Sequence, residues 1–238
     1  MQEQSLLYKY RPCNEYTIAI FLNGCLHYSH PSDFNDPYDC LLCHEGAEKY
    51  RYLLPSADKS AYLSIDVDIE ELLPVLQHEV NDTPICCFSR NGRQMQMWSH
   101  YADYHRGLCL EFDEELLLDR RYCEVHPVNY TQEQIKFDVT NTKCITQETI
   151  QFLYTKHNSW AYEEEVRFFH KPDPANNGNY PFNKQALKAI YFGSRCSKDN
   201  IKLYKDLCRM NGFEHVKFYQ MKLGNKGRFE LEPEELVD

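Results

Sequence analysis

The chain has 238 residues, 42% of them apolar and 14% aromatic, and a formal net charge of −10. That length and apolar content suit one domain, 1–238, with a sizeable core, and they exclude a disordered polypeptide. The acidic balance argues against non-specific nucleic-acid binding and against docking on an anionic membrane.

In chain order, Leu6 to Tyr10 reads as a strand ended by Arg11-Pro12. Glu15 to Leu22 is a short helix stopped by Asn23-Gly24, and Cys25 to Tyr28 is a second strand. His30 to Asp39 is a loop dense in turn formers and carboxylates. From Cys40 to about Leu76 the pattern reads as helical with breaks. It is clearest from Ile69 to Val80, where Ile69, Leu72, Leu73, Leu76 and Val80 recur at helical spacing. Pro84 to Ser89 is a strand, Gln94 to Tyr104 a helix, Leu108 to Phe112 a buried strand, and Tyr122 to Tyr130 a strand interrupted at Pro127. Ile145 to Lys156 is a helix and Ala161 to His170 a strand. Leu187 to Phe192 is a strand, and Ser197 or Lys198 opens a helix running to about Met210. Val216 to Met221 and Arg228 to Leu231 are final strands joined by Gly224-Asn225-Lys226-Gly227, ahead of an acidic tail expected to fray.

Strands in runs with short helices predict an α+β fold of largely antiparallel, split sheets. No G-x-G-x-x-G or P-loop is present. Without a signal-like leader or a run of about 20 apolar residues, the 11 cysteines read as reduced, packed thiols in a cytoplasmic protein off the membrane. Cys40-x-x-Cys43-His44 has zinc-like spacing, but no second spaced pair completes it, and no metal is expected.

The most informative segment is Trp160-x-x-Glu163-x-Glu165-x-Arg167. Read as a strand, it places Glu163, Glu165 and Arg167 on one face, about 7 Å apart at i,i+2. Tyr162, Val166 and Phe168 then face the core. Such carboxylates suit stabilisation of developing positive charge; their bland alternative is a surface ion pair. Asp36 and Asp39 read first as turn formers. With Glu163 and Glu165 they would also suit magnesium in a phosphodiesterase or nuclease, the alternative enzyme reading. A non-catalytic binding module is the third. Ser89 sits at a strand end, and Trp98, His100 and Tyr101 share one helix.

Together Leu7-Tyr8-Lys9-Tyr10-Arg11, Leu26-His27-Tyr28-Ser29, Phe34-Asn35-Asp36-Pro37-Tyr38-Asp39, Cys87-Phe88-Ser89, Met97-Trp98-Ser99-His100-Tyr101-Ala102, His105-Arg106-Gly107-Leu108-Cys109-Leu110-Glu111-Phe112 and the late motif resemble domain-of-unknown-function family 2971, a group of bacterial proteins without an assigned activity. That pattern usually has Phe where this chain has Tyr38. The order Arg, Ser, Glu-x-Glu is also similar, distantly, to the arginine–serine–glutamate class of ADP-ribosyltransferases. This likeness implies NAD as the substrate and an acceptor of unspecified kind. It makes Glu165 the catalytic carboxylate and Glu163 the residue orienting the acceptor. Arg11 would meet NAD phosphate and Ser89 the nicotinamide ribose, with Trp98, His100, Tyr101 and Arg167 completing the cofactor site. In place of that class's Ser-Thr-Ser the chain has Phe88-Ser89-Arg90.

Overall fold

The computed structural model describes residues 5–45, 49–55, 62–136, 149–224 and 227–237. In chain order its elements are β1 (Leu6–Arg11), α1 (Glu15–Asn23), β2 (Cys25–His27), β3 (Lys49–Pro55), β4 (Tyr62–Asp68), α2 (Ile69–Asn81), β5 (Ile85–Ser89), α3 (Met95–His100), β6 (Leu108–Asp113) and α4 (Glu114–Leu117). There follow β7 (Cys123–Pro127), β8 (Asn129–Thr131), β9 (Thr155–His157), β10 (Glu165–His170), β11 (Asn179–Pro181), β12 (Leu187–Phe192), α5 (Lys198–Met210), β13 (Lys217–Leu223) and β14 (Leu231–Glu235). The class is α+β, with short helices and a mostly antiparallel main sheet. The chain forms two compact units. One comprises Met1–Tyr28, Ile85–Pro127 and Ala161–Asp238; the other comprises Ser29–Pro84 and Val128–Trp160.

The first unit is built on an eight-stranded sheet in the order β14-β13-β12-β6-β1-β5-β10-β7. Its one parallel pair, β12 with β13, is joined through α5, as a parallel pair requires a long crossover. Strand alternation sorts the side chains into two layers. Leu7, Phe88, Leu110, Phe112, Val166, Phe168 and Ile190 enter the larger core with Ile20 and Phe21 of α1 and Tyr204 and Cys208 of α5. On the other face Tyr10, Cys109 and Met221 pack with Met97, Trp98 and Ala102, ringed by half-buried Tyr8, Tyr101, Tyr162 and Tyr191. Each large apolar side chain buried this way contributes about 1.5–3 kcal/mol. The helices are set by their caps. The Asn14 side chain accepts from Thr17 N, Gly24 closes α1 at φ 64°, and the Ser197 hydroxyl accepts from Asn200 N at the start of α5.

The predicted helix over 94–104 stops at His100. Asp103, Tyr104 and His105 then take positive φ (45°, 51° and 68°), and the chain turns sharply into β6. Gly107 and Gly193 explain the turn. A Cβ on Gly107 would overlap the Arg11 carbonyl oxygen, and one on Gly193 would overlap that of His105. The His105 ring stacks on Trp98, and its Nδ1 is buried without a hydrogen-bond partner among the described residues. Burial, then the charge of Arg195, lowers its basicity below the ordinary value of 6.5. The unfolded chain therefore protonates first as pH falls. Stability should decline as pH drops below about 6.5 and until His105 itself protonates. His105→Asn, which tolerates the left-handed backbone, should flatten that slope. Urea midpoints of both proteins between about pH 8 and 5.5 test this; parallel profiles would refute it.

The helical reading of 40–68 is corrected: Lys49–Pro55 and Tyr62–Asp68 form an antiparallel hairpin. Only α2, with its buried Ile69, Leu76 and Val80, keeps the predicted helical face. The helix read over 145–156 falls partly outside the described residues. Its described part is α-helical at Thr149 and Ile150 and continues as a 3₁₀ turn at Gln151–Tyr154 running into β9. Of the Gly224–Gly227 turn, residues 225 and 226 also lie outside the described residues. The last strand begins at Leu231 rather than Arg228, and the acidic tail is its body. Lys222 stands opposite Glu232 and lies 3.3 Å from Glu234, so opposite charges face each other across β13 and β14.

Candidate functional site

All eight candidate site residues belong to the first unit. The late motif is not one continuous strand. Asn158–Glu163 is a 3₁₀ segment, Glu164 takes φ 45°, and β10 starts only at Glu165. Asn91 ties the bend, its amide donating to Glu164 Oε1 at 2.9 Å while Arg90 N donates to Glu164 O. The i,i+2 alignment of Glu163 with Glu165 is thereby corrected. Glu165 and Arg167 do share a strand face, as expected, but they are closed against each other. Arg167 Nε and Nη2 donate to Glu165 Oε1 and Oε2 at 2.9 and 3.1 Å. Arg167 is 0% exposed, Glu165 6% and Glu163 3%. This two-point geometry is the strong form of an arginine–carboxylate pair. Cys87 lies opposite Arg167, and burial, then Glu165, pushes its thiol well above the ordinary range.

Across the sheet, Glu165 is in register with Ser89, Ser89 with Tyr8, and Tyr8 with Glu111. Ser89 and Glu165 are therefore brought together, about 5 Å apart as neighbouring strands dictate. Ser89 is only 1% exposed, and its hydroxyl serves the next turn, donating to Asn91 O and accepting from Asn91 N. Arg11 is not brought to this row. It sits three residues past Tyr8, and alternation sends it to the opposite face, where Nε reaches Thr17 Oγ1 at 3.4 Å. Trp98 is not placed to stack on a ligand either. It is fully buried, edge-on to Tyr10 at 5.3 Å, with Nε1 donating to Gly92 O.

What does converge is a cavity of about 460 Å³ where β1 ends beside α3. Arg11, Ser99, His100, Tyr101, Asp103 and Tyr104 line it. His100 is exposed and half-buried Tyr101 forms one wall. The Tyr101 hydroxyl donates to Glu163 Oε1 at 2.6 Å, so this buried carboxylate stands directly behind a cavity-lining side chain.

Residues 97–168 match the model of a family described as protein of unknown function, DUF2971. No curated protein and no solved structure matches. The DUF2971 span takes in α3 with Trp98, His100 and Tyr101, all of β6, and the motif carrying Glu163, Glu165 and Arg167. Arg11 and Ser89 fall outside it.

The span also contains a residue that motif reading passed over. Glu111 on β6 is almost buried, accepts from Tyr191 Oη at 2.7 Å, and stands opposite Tyr8 of β1. Burial, then this carboxylate, raises both phenols above their ordinary range, Tyr191 partly through its hydrogen bond. A carboxylate at an alternating position of a very apolar strand was the signal available. In the second unit, Asp36 Oδ1 accepts from Tyr38 N in the expected Asx turn, while Asp39 is buried against Lys156. A cavity of about 400 Å³ there is lined by Asp36, Tyr38, Lys156 and Trp160 among others. Among the described residues, no three His, Cys, Asp or Glu side chains gather as metal ligands, and no helix is long and apolar enough to cross a membrane.

Proposed function

We propose that this chain binds NAD in the cavity of Arg11, His100 and Tyr101 and transfers its ADP-ribose to an acceptor. The supporting observation is the 2.6 Å bond from Tyr101 to Glu163, which holds a carboxylate behind a wall of a nucleotide-sized cavity. In this reading Arg11 faces the diphosphate and Tyr101 or His100 packs on a ring. The bond between nicotinamide N1 and ribose C1′ breaks, its electron pair leaving with nicotinamide. The acceptor's nucleophile then bonds to C1′ and its proton passes to a carboxylate. The transition state is oxocarbenium-like, and a fixed negative charge lowers its energy. Relative to the motif likeness, the roles exchange: Glu163 is the working carboxylate, and Glu165, closed on Arg167, supports the strand beneath it.

Nicotinamide release from NAD by the purified protein tests this. Glu163→Gln should slow release about 10²-fold while NAD binding by calorimetry persists. No release by the wild type, or equal release by the variant, overturns the reading. The two-point closure of Glu165 on Arg167 favours a second reading, a binding module without catalysis. Saturable NAD binding without nicotinamide release would select it.

A further inference from the structure

A second cavity, of about 370 Å³, lies where β1, α1, β2 and the 177–179 turn meet. Its cationic lining is Lys9 and Arg11, which alternation places on the same face of β1 about 7 Å apart. Both are half-buried. Lys9 Nζ donates to Cys87 O at 3.0 Å and stands 5.2 Å over the Phe88 ring, and Arg11 reaches only Thr17. Neither has a carboxylate partner among the described residues. Asn23, His27, Asn177 and Asn179 add polar groups, and Tyr16, Ala19 and Ile20 of α1 form a less polar wall. Among the described residues, no Asp or Glu lines the space.

Two like charges on one strand face, half removed from water and without a counter-ion, are unfavourable unless something anionic joins them. Burial alone already lowers the Arg11 guanidinium from its ordinary value. We infer that this cavity binds a small phosphomonoester, its phosphoryl group held between Lys9 and Arg11. A dianion matches two cations, and a guanidinium fork beside an ammonium suits phosphoryl oxygens. The volume exceeds that of a phosphate ion, and the α1 wall would take the ester's organic part. The inference shares Arg11 with the NAD reading and differs from it in Lys9, His27 and Asn177, which do not line the His100 cavity.

Calorimetry at constant ionic strength, with inorganic phosphate and adenosine monophosphate as probes and chloride as the control, tests it. Saturable binding of phosphate or of the nucleotide is expected, weakened at least tenfold in Lys9→Gln and in Asn177→Asp. The latter places a carboxylate at the rim on an exposed residue whose left-handed backbone Asp tolerates, so it reports even if Lys9→Gln misfolds. Tighter binding of the nucleotide than of phosphate shows that the α1 wall is used; equal binding shows that the phosphoryl group is the whole ligand. No saturable heat beyond the chloride control, or unchanged affinity in the folded variants, overturns the proposal.

Discussion

Arg167→Met should destabilise the first unit by about 3–5 kcal/mol, an effect that urea unfolding at neutral pH would read. Arg167 is wholly buried and its guanidinium is spread along both oxygens of Glu165. Methionine fills much of the same volume, so the loss is electrostatic: Glu165 is left as a buried charge whose paired cation is gone. The loss belongs to breaking the pair rather than to the pair's net worth. Arg167→Met combined with Glu165→Gln should therefore recover most of it, because two neutral groups of similar size need no counter-charge. A single variant within about 1 kcal/mol of the wild type, or a double variant worse than the single, would show that the pair is not what holds this strand.

Asp39→Asn has an expected effect of the same size in the second unit. Lys156 Nζ lies 3.4 Å from Asp39 Oδ2, with the two side chains only 5% and 2% exposed. The ammonium also stands 4.9 Å over the Trp160 ring, which adds attraction without neutralising it. Removing the carboxylate's charge leaves Lys156 buried against an amide, at about 3–5 kcal/mol. Lys156→Met should cost about as much, and the two together less than their sum. A chain with Asp39→Asn that keeps its urea midpoint would return Asp39 to the role of an ordinary turn former. Because the Asx turn belongs to Asp36, Asp36→Ala should cost only about 1 kcal/mol, which separates the two acids of one loop.

These pairs mark the boundary of what a linear reading reaches. Strand alternation at Glu165, Val166, Arg167 and Phe168 was legible, and so was the burial of Leu108 to Phe112, because a two-residue period is a local property of an extended backbone. Helix ends at Gly24 and Ser197 were legible for the same reason: each cap is made within a few residues. The bend at Glu164 was not. Trp160 and Tyr162 favour a strand by composition, but contacts from the distant Arg90 and Asn91 hold Glu164 in a left-handed turn. Asn158-Ser159 ahead of Trp160-x-x-Glu163, a spacing of one helical turn, was the cue that pointed the other way.

By itself, then, the amino-acid order determined the α+β class, the main strands and the acids and bases that occupy them, since period, caps and composition act over a few residues. Which of those charges close on each other, and which are left facing space, was decided only by the fold. Glu165 meets Arg167 within β10, but Arg11 is carried to the opposite face of the sheet from Ser89, and Glu163 is gripped by a tyrosine 62 residues away. Pairing of that kind depends on sheet order and on a single left-handed residue, and neither is written in the spacing of the motif.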